Sequence, residues 1–150
     1  MADRNNIYLP LLFTPNNKAR EFMEYVVDHP EQKRKSLVWD DCLAKAAEVR
    51  AEQVSDTFSH CFKGDCANRI VRRVCRLPTE YSENGNSIES LVAGTPDTKI
   101  AFEALLRSSS HADHLLGRNS FFIQQTRIGI AYLDKLGSTY RFYFVILISK

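Results

Sequence analysis

No stretch of this chain approaches the about 18 consecutive apolar residues that a bilayer-spanning helix requires. The apolar runs Ile7 to Phe13 and Tyr143 to Ile148 are each shorter than half of that. The segment Met1-Ala2-Asp3-Arg4-Asn5-Asn6 lacks the basic-then-apolar order and small-residue cleavage site of a secretory leader, so localisation is not legible there. Excess charge is missing as well. The formal net charge is +2 with a pI near 8.4, and the basic residues are scattered apart from Lys33-Arg34-Lys35 and the run Arg69, Arg72, Arg73, Arg76. Neither group is interleaved with stacking aromatics, which argues against a nucleic-acid partner and for solvated helix or turn faces. Self-contained catalytic signatures are also lacking: there is no Gly-x-Ser-x-Gly elbow and no His-Glu-x-x-His helix. Ser108-Ser109-Ser110 beside His111 reads as a helix-breaking run, not a set of nucleophiles. No internal repeat or low-complexity segment is present.

What remains is the profile of one globular domain over residues 1–150, with 44% hydrophobic and 25% charged residues. Pro15-Asn16-Asn17 precedes Ala19, Phe22, Met23, Val26 and Val27, an apolar stripe at helical spacing that stops at His29-Pro30. Asp40 is a good N-cap for a second helix through Leu43, Ala46, Ala47, Val49 and Val54 to about Thr57, which delivers His60 just past its end. Cys61 to Pro96 is turn-rich, with a short helix over Ala67 to Val74. Thr98 caps a helix through Leu105, and a shorter one after the serines carries His111 and His114 up to Gly117. Arg127 to Leu133 and Tyr140 to Ile148 are β-branched and aromatic and form an antiparallel hairpin. The second strand is almost continuously apolar, as suits a central strand covered on both faces. A third strand is needed, from Tyr81 to Ser87 or from Ile7 to Phe13. The class is α/β.

Cys42, Cys61, Cys66 and Cys75 give an even count. Cys42 lies in a helical pattern beside Leu43 and Ala46 and reads as a buried apolar thiol. The expected bridge is then Cys61 to Cys75 or Cys66 to Cys75, leaving an odd thiol. A zinc set of His60, Cys61, Cys66 and Cys75 is the competing reading, although the spacing matches no common finger or ribbon.

Four segments in order resemble the CAP superfamily, the cysteine-rich secretory, antigen-five and pathogenesis-related proteins (SCP-like domains), in a bacterial-type variant. Leu37 to Ala51, ending at Phe58-Ser59-His60, looks like the first helix motif. Glu83-Asn84 resembles the family's Glu-Asn motif. Leu105 to Leu116 resembles its second histidine motif, and Arg127-Ile128-Gly129-Ile130-Ala131 the glycine-containing strand that follows. The resemblance covers a core of about residues 19–148 and implies a three-layer α-β-α sandwich around a small central antiparallel sheet. It also implies that His60, Glu83 and His111 meet in one cleft. The chain departs from the family at Ser108, where a second acidic residue is usual, at Leu105 in place of a tryptophan, and at His114 in place of an asparagine. Glu103 lies more than a helical turn from Ser108.

Two imidazoles and a carboxylate suit a divalent cation, zinc first, with His60 and His111 as ligands and Glu83, Ser108, His114 and Glu103 around them. Three functional readings follow. The first is a secreted or cell-surface recognition module for another protein or a cell-surface polymer, with the cleft binding a divalent metal. The second is a metal-assisted hydrolase with Glu83 as base and His60 and His111 beside it. The third is a lipid or sterol carrier with Phe22, Met23, Phe121 and Phe122 lining the groove. The extracellular or cell-surface location rests on the family resemblance.

Overall fold

The computed structural model describes residues 16–150. The candidate strand Ile7 to Phe13 lies outside the described residues. Helix α1 (Asn17–Asp28) is started by Asn16, whose side chain accepts from the Ala19 N–H at 2.8 Å, and it stops ahead of Pro30. A short strand β1 (Val38–Trp39) leads to Asp40, which accepts from the Leu43 N–H at 2.9 Å and opens helix α2 (Asp41–Asp56). A small hairpin, β2 (Cys61–Phe62) and β3 (Asp65–Cys66), is followed by helix α3 (Ala67–Arg72). Strand β4 (Glu89–Ala93), helices α4 (Thr98–Leu106) and α5 (Ser109–Leu116), a 3-10 turn (Phe122–Gln124), and strands β5 (Arg127–Asp134) and β6 (Phe142–Ser149) complete the order.

The main sheet runs β1-β5-β6-β4. β5 and β6 are antiparallel from Arg127↔Ser149 to Asp134↔Phe142, β4 pairs antiparallel with β6, and β1 pairs parallel with β5. The two-residue side-chain period of β6 explains the three layers. Tyr143, Val145 and Leu147 pack with Leu43, Ala47 and Val54 of α2, whereas Phe144, Ile146 and Ile148 pack with Phe22 and Val26 of α1, Phe102 and Leu105 of α4, and Leu115 of α5. The result is an α-β-α sandwich, and the continuous apolar run of β6 is what a strand buried on both sides requires. α2 lies against β5 and β6 because position 129 is glycine: a Cβ there would run into the backbone of Leu43 and Ala44.

Three expectations change. The third strand of the hairpin sheet is Glu89–Ala93, and Tyr81 to Ser87 is irregular, held by the Asn68 side chain donating to the Ser82 carbonyl at 2.9 Å and lying 3.2 Å from Ser87 Oγ. α4 is capped by Asp97, which accepts from Ile100 N–H at 3.0 Å, while Thr98 donates its hydroxyl to Glu21. The cysteines pair as Cys42–Cys75 and Cys61–Cys66, leaving none free among the described residues. Cys42 sits at the start of α2, where the fold brings the segment after α3 alongside with Cα atoms 5.6 Å apart; Cys61 and Cys66 are directly opposite across β2 and β3. Neither Cys75 pairing expected above forms, and the sulfur ligands of the His60, Cys61, Cys66, Cys75 zinc set are consumed in disulfides.

Candidate functional site

The site is built around β4, an edge strand of the main sheet. Consecutive residues of a strand point to opposite faces, so Glu89 is directed toward α2 and Ser90 toward α5. On the α2 face, Arg50 and Glu89 are both fully buried. Arg50 Nε donates to Glu89 Oε2 at 2.6 Å and Nη2 to Glu89 Oε1 at 3.0 Å, a forked charge-assisted pair. The rest of the guanidinium is also occupied: Nη1 donates to Gln53 Oε1 at 2.7 Å and Nη2 to the Ser59 carbonyl at 2.7 Å. Holding Ser59 fixes the chain just before His60. The His60 ring then reaches back so that Nδ1 lies 2.9 Å from Glu89 Oε1. A carboxylate only accepts, so His60 Nδ1 carries the hydrogen, and in the neutral ring the Nε2 lone pair is free. The His60 side chain is 33% exposed, which makes it the accessible member of the group.

On the α5 face, Ser90 Oγ and His114 Nδ1 are 2.7 Å apart and both residues are buried. Burial first, then the charges of Arg34 and His111, push the His114 pKa down to about 3, with the Ile148 backbone opposing. One turn earlier, half-buried His111 is lowered from the ordinary imidazole value by desolvation and then by the neighbouring His60. α5 is held in place at its carboxyl end by buried Arg34, which donates to the carbonyls of His114, Leu115 and Phe122 at 2.6, 2.9 and 3.1 Å. Burial lowers the Arg34 pKa to about 10. Arg34 is therefore a structural cap and not part of a solvated basic face, and Gly117 leaves α5 with a left-handed φ of 63°.

The residues singled out from sequence sort as follows. The charge of His60 contributes, after burial, to the lowered pKa of His111. Glu83 is not the carboxylate between them: it is 64% exposed and pairs with Arg72 at 3.2 Å and Arg69 at 3.8 Å. Glu89 takes its place beside His60. Ser108 is the N-cap of α5 without a side-chain capping bond, its Oγ 3.2 Å from Ser110 Oγ. His114 forms the buried layer behind His111, and Glu103 is exposed on α4. Phe22 and Met23 are sealed in the core; Phe121 packs on Tyr81 and Phe122 edge-on to His114, so these four do not line a common lipid groove.

Sequence reasoning missed Arg50 and Glu89, although both leave a trace. Arg50 falls on the apolar stripe of α2, four residues after Ala46 and four before Val54, where an unpaired charge would be prohibitive. Glu89 opens the apolar run Leu91-Val92-Ala93. An arginine and an acid each embedded in an apolar pattern are the signature of a buried pair.

As a test for a divalent metal, the donor set falls short. Both oxygens of Glu89 are engaged by Arg50, and one also by His60. Among the described residues no group of three or more His, Cys, Asp or Glu side chains is placed to hold a metal ion. Two imidazole nitrogens do not make a resident four-coordinate centre.

No family model matches the chain, and no curated protein matches it. The fold resembles that of an outer surface protein from Borrelia burgdorferi. The two share 21% identity and a TM-score of 0.65 over 87% of this chain and 90% of that one, which establishes a common architecture across nearly the whole of both. Among the described residues no helix is long and apolar enough to cross a membrane.

Proposed function

We propose that this chain is a CAP-like recognition module of the cell surface, which engages a protein or surface polymer through the surface that His60 and His111 present beside β4. The observation that carries this reading is the buried Arg50–Glu89–His60 chain. It commits the carboxylate to internal hydrogen bonds and leaves part-exposed His60, with half-buried His111 on α5, as polar recognition groups. Four features support the wider assignment: the order of the CAP-like segments, the α-β-α architecture, the likeness to an outer surface protein, and two disulfides of the kind that persist in oxidising compartments. Glu83, the base of the hydrolase reading, is exposed and paired with Arg72 at 3.2 Å, which favours recognition over hydrolysis.

The test is binding of the fluorescently labelled protein to immobilised acidic polysaccharides, to a surface-protein array and to sterol-containing vesicles. Each is compared with His60→Ala and His111→Ala. Saturable binding to a polymer or protein that both substitutions weaken at least tenfold supports the reading; binding untouched by either substitution, or confined to sterol vesicles, refutes it. A second reading, zinc recruited by the two histidines with outside ligands completing the sphere, is tested by calorimetric titration of the same three proteins. Equal heats in all three exclude it.

A further inference from the structure

We infer that Arg50 is the resident cation of this site, a side chain that occupies the carboxylate a metal would need and so determines that the site is metal-poor. The inference rests on the placement of the site proposed above. Glu89 is fully buried and its two oxygens accept from Arg50 Nε and Nη2 at 2.6 and 3.0 Å, a fork that fills the front of the carboxylate. A divalent ion bridging His60, His111 and a carboxylate would have to displace this guanidinium. Arg50 cannot withdraw easily, because it is itself buried and tied to Gln53 and the Ser59 carbonyl. A buried cation separated from its counter-charge is strongly disfavoured. The same fork has a positional consequence. With Glu89 immobilised, His60 is oriented through Nδ1 and presents Nε2 outward, so the part of the metal-site arrangement that survives is ring orientation without ion capture.

The experiment uses the full chain and four proteins: the parent, Arg50→Gln, Arg50→Lys and the Arg50→Gln/Glu89→Gln double variant. Zinc chloride is titrated by calorimetry, and the zinc-induced change in Tm is recorded in parallel. Arg50→Gln is expected to bind zinc at least tenfold more tightly than the parent and to gain Tm on zinc addition, and Glu89→Gln in that background is expected to abolish both gains. Arg50→Lys, which keeps the charge and loses the fork, is expected to fall between and serves if Arg50→Gln does not fold without metal. A parent that already binds zinc through Glu89, or folded Arg50 variants that bind it no more tightly than the parent, would overturn the inference. A metal-free readout accompanies these: nitrogen NMR of the His60 ring should show hydrogen on Nδ1 in the parent, with that preference lost in the double variant. Failure here is separable from failure of the recognition reading, since zinc capture needs no partner and partner binding is scored by the histidine variants.

Discussion

Arg34 Nη2 donates to the carbonyl oxygen of His114 at 2.6 Å, so a residue from the loop after α1 closes the end of the helix that presents His111. Arg34 donates to three carbonyls, and whereas that of Leu115 also accepts from Gln32 Nε2 and that of Phe122 from the Gln125 N–H, both at 3.0 Å, the His114 carbonyl relies on the guanidinium. Arg34→Met keeps the stem and removes the donors, leaving the His114 carbonyl unpaired. It is expected to cost about 2 kcal/mol in urea unfolding, with NMR shifts concentrated in α5 and the 3-10 turn. A loss under about 1 kcal/mol would mean that water takes over that carbonyl.

Glu83 and Glu89 make a sharp comparison. Glu83→Gln touches only exposed pairs with Arg69 and Arg72, so stability should change by less than about 0.5 kcal/mol. Glu89→Gln leaves Arg50 buried without its counter-charge and should cost about 3–5 kcal/mol. Denaturant curves of the two variants measured side by side decide it; similar losses would contradict the placement of either residue.

The two disulfides differ in the loop they close, with sequence separations of 33 for Cys42–Cys75 and 5 for Cys61–Cys66. Chain-entropy reasoning gives about 4 kcal/mol for removing the first and about 2 kcal/mol for the second. Paired Cys→Ser variants compared by thermal unfolding should preserve this order. Cys61–Cys66 also anchors the hairpin directly after His60, so its removal should broaden the His60 ring signals more than removal of the distant bridge.

Acid should weaken the fold through the α5 histidines. The folded-state pKa values of His111 and His114 are both depressed, the latter to about 3, so each takes up its proton at a lower pH in the fold than in the unfolded chain, which protonates below about 6.5. The stabilisation is therefore fully present above pH 6.5 and is lost as the pH falls toward the folded values. For buried His114 this approaches about 1.4 kcal/mol per pH unit below 6.5. Stability measured from pH 7.5 to 5 should fall more steeply in the parent than in His114→Gln, and parallel slopes would remove His114 from the account.

Much of this molecule was legible residue by residue because the relevant physics is local. Asn16 and Asp40 are caps by their own side-chain chemistry, the stripe Ala19-Phe22-Met23-Val26 is helical by spacing, and the uninterrupted apolar run of β6 demands cover on both faces whatever supplies it. His60 just beyond a helix end and His111 on a short helix were likewise readable. Pairing was not. Which carboxylate meets His60 depends on β4 lying beside β6 in the register Glu89↔Leu147, and a motif such as Glu83-Asn84 carries no information about register. Cys42 looks like a core thiol along its helix, and only the approach of the segment after α3 gives it Cys75 as a partner. Contacts between segments distant along the chain are selected by the packing of whole layers, so Arg50, Glu89 and the disulfide pattern were settled by the sandwich, while the helices, caps and central strand were settled by the amino acids that form them.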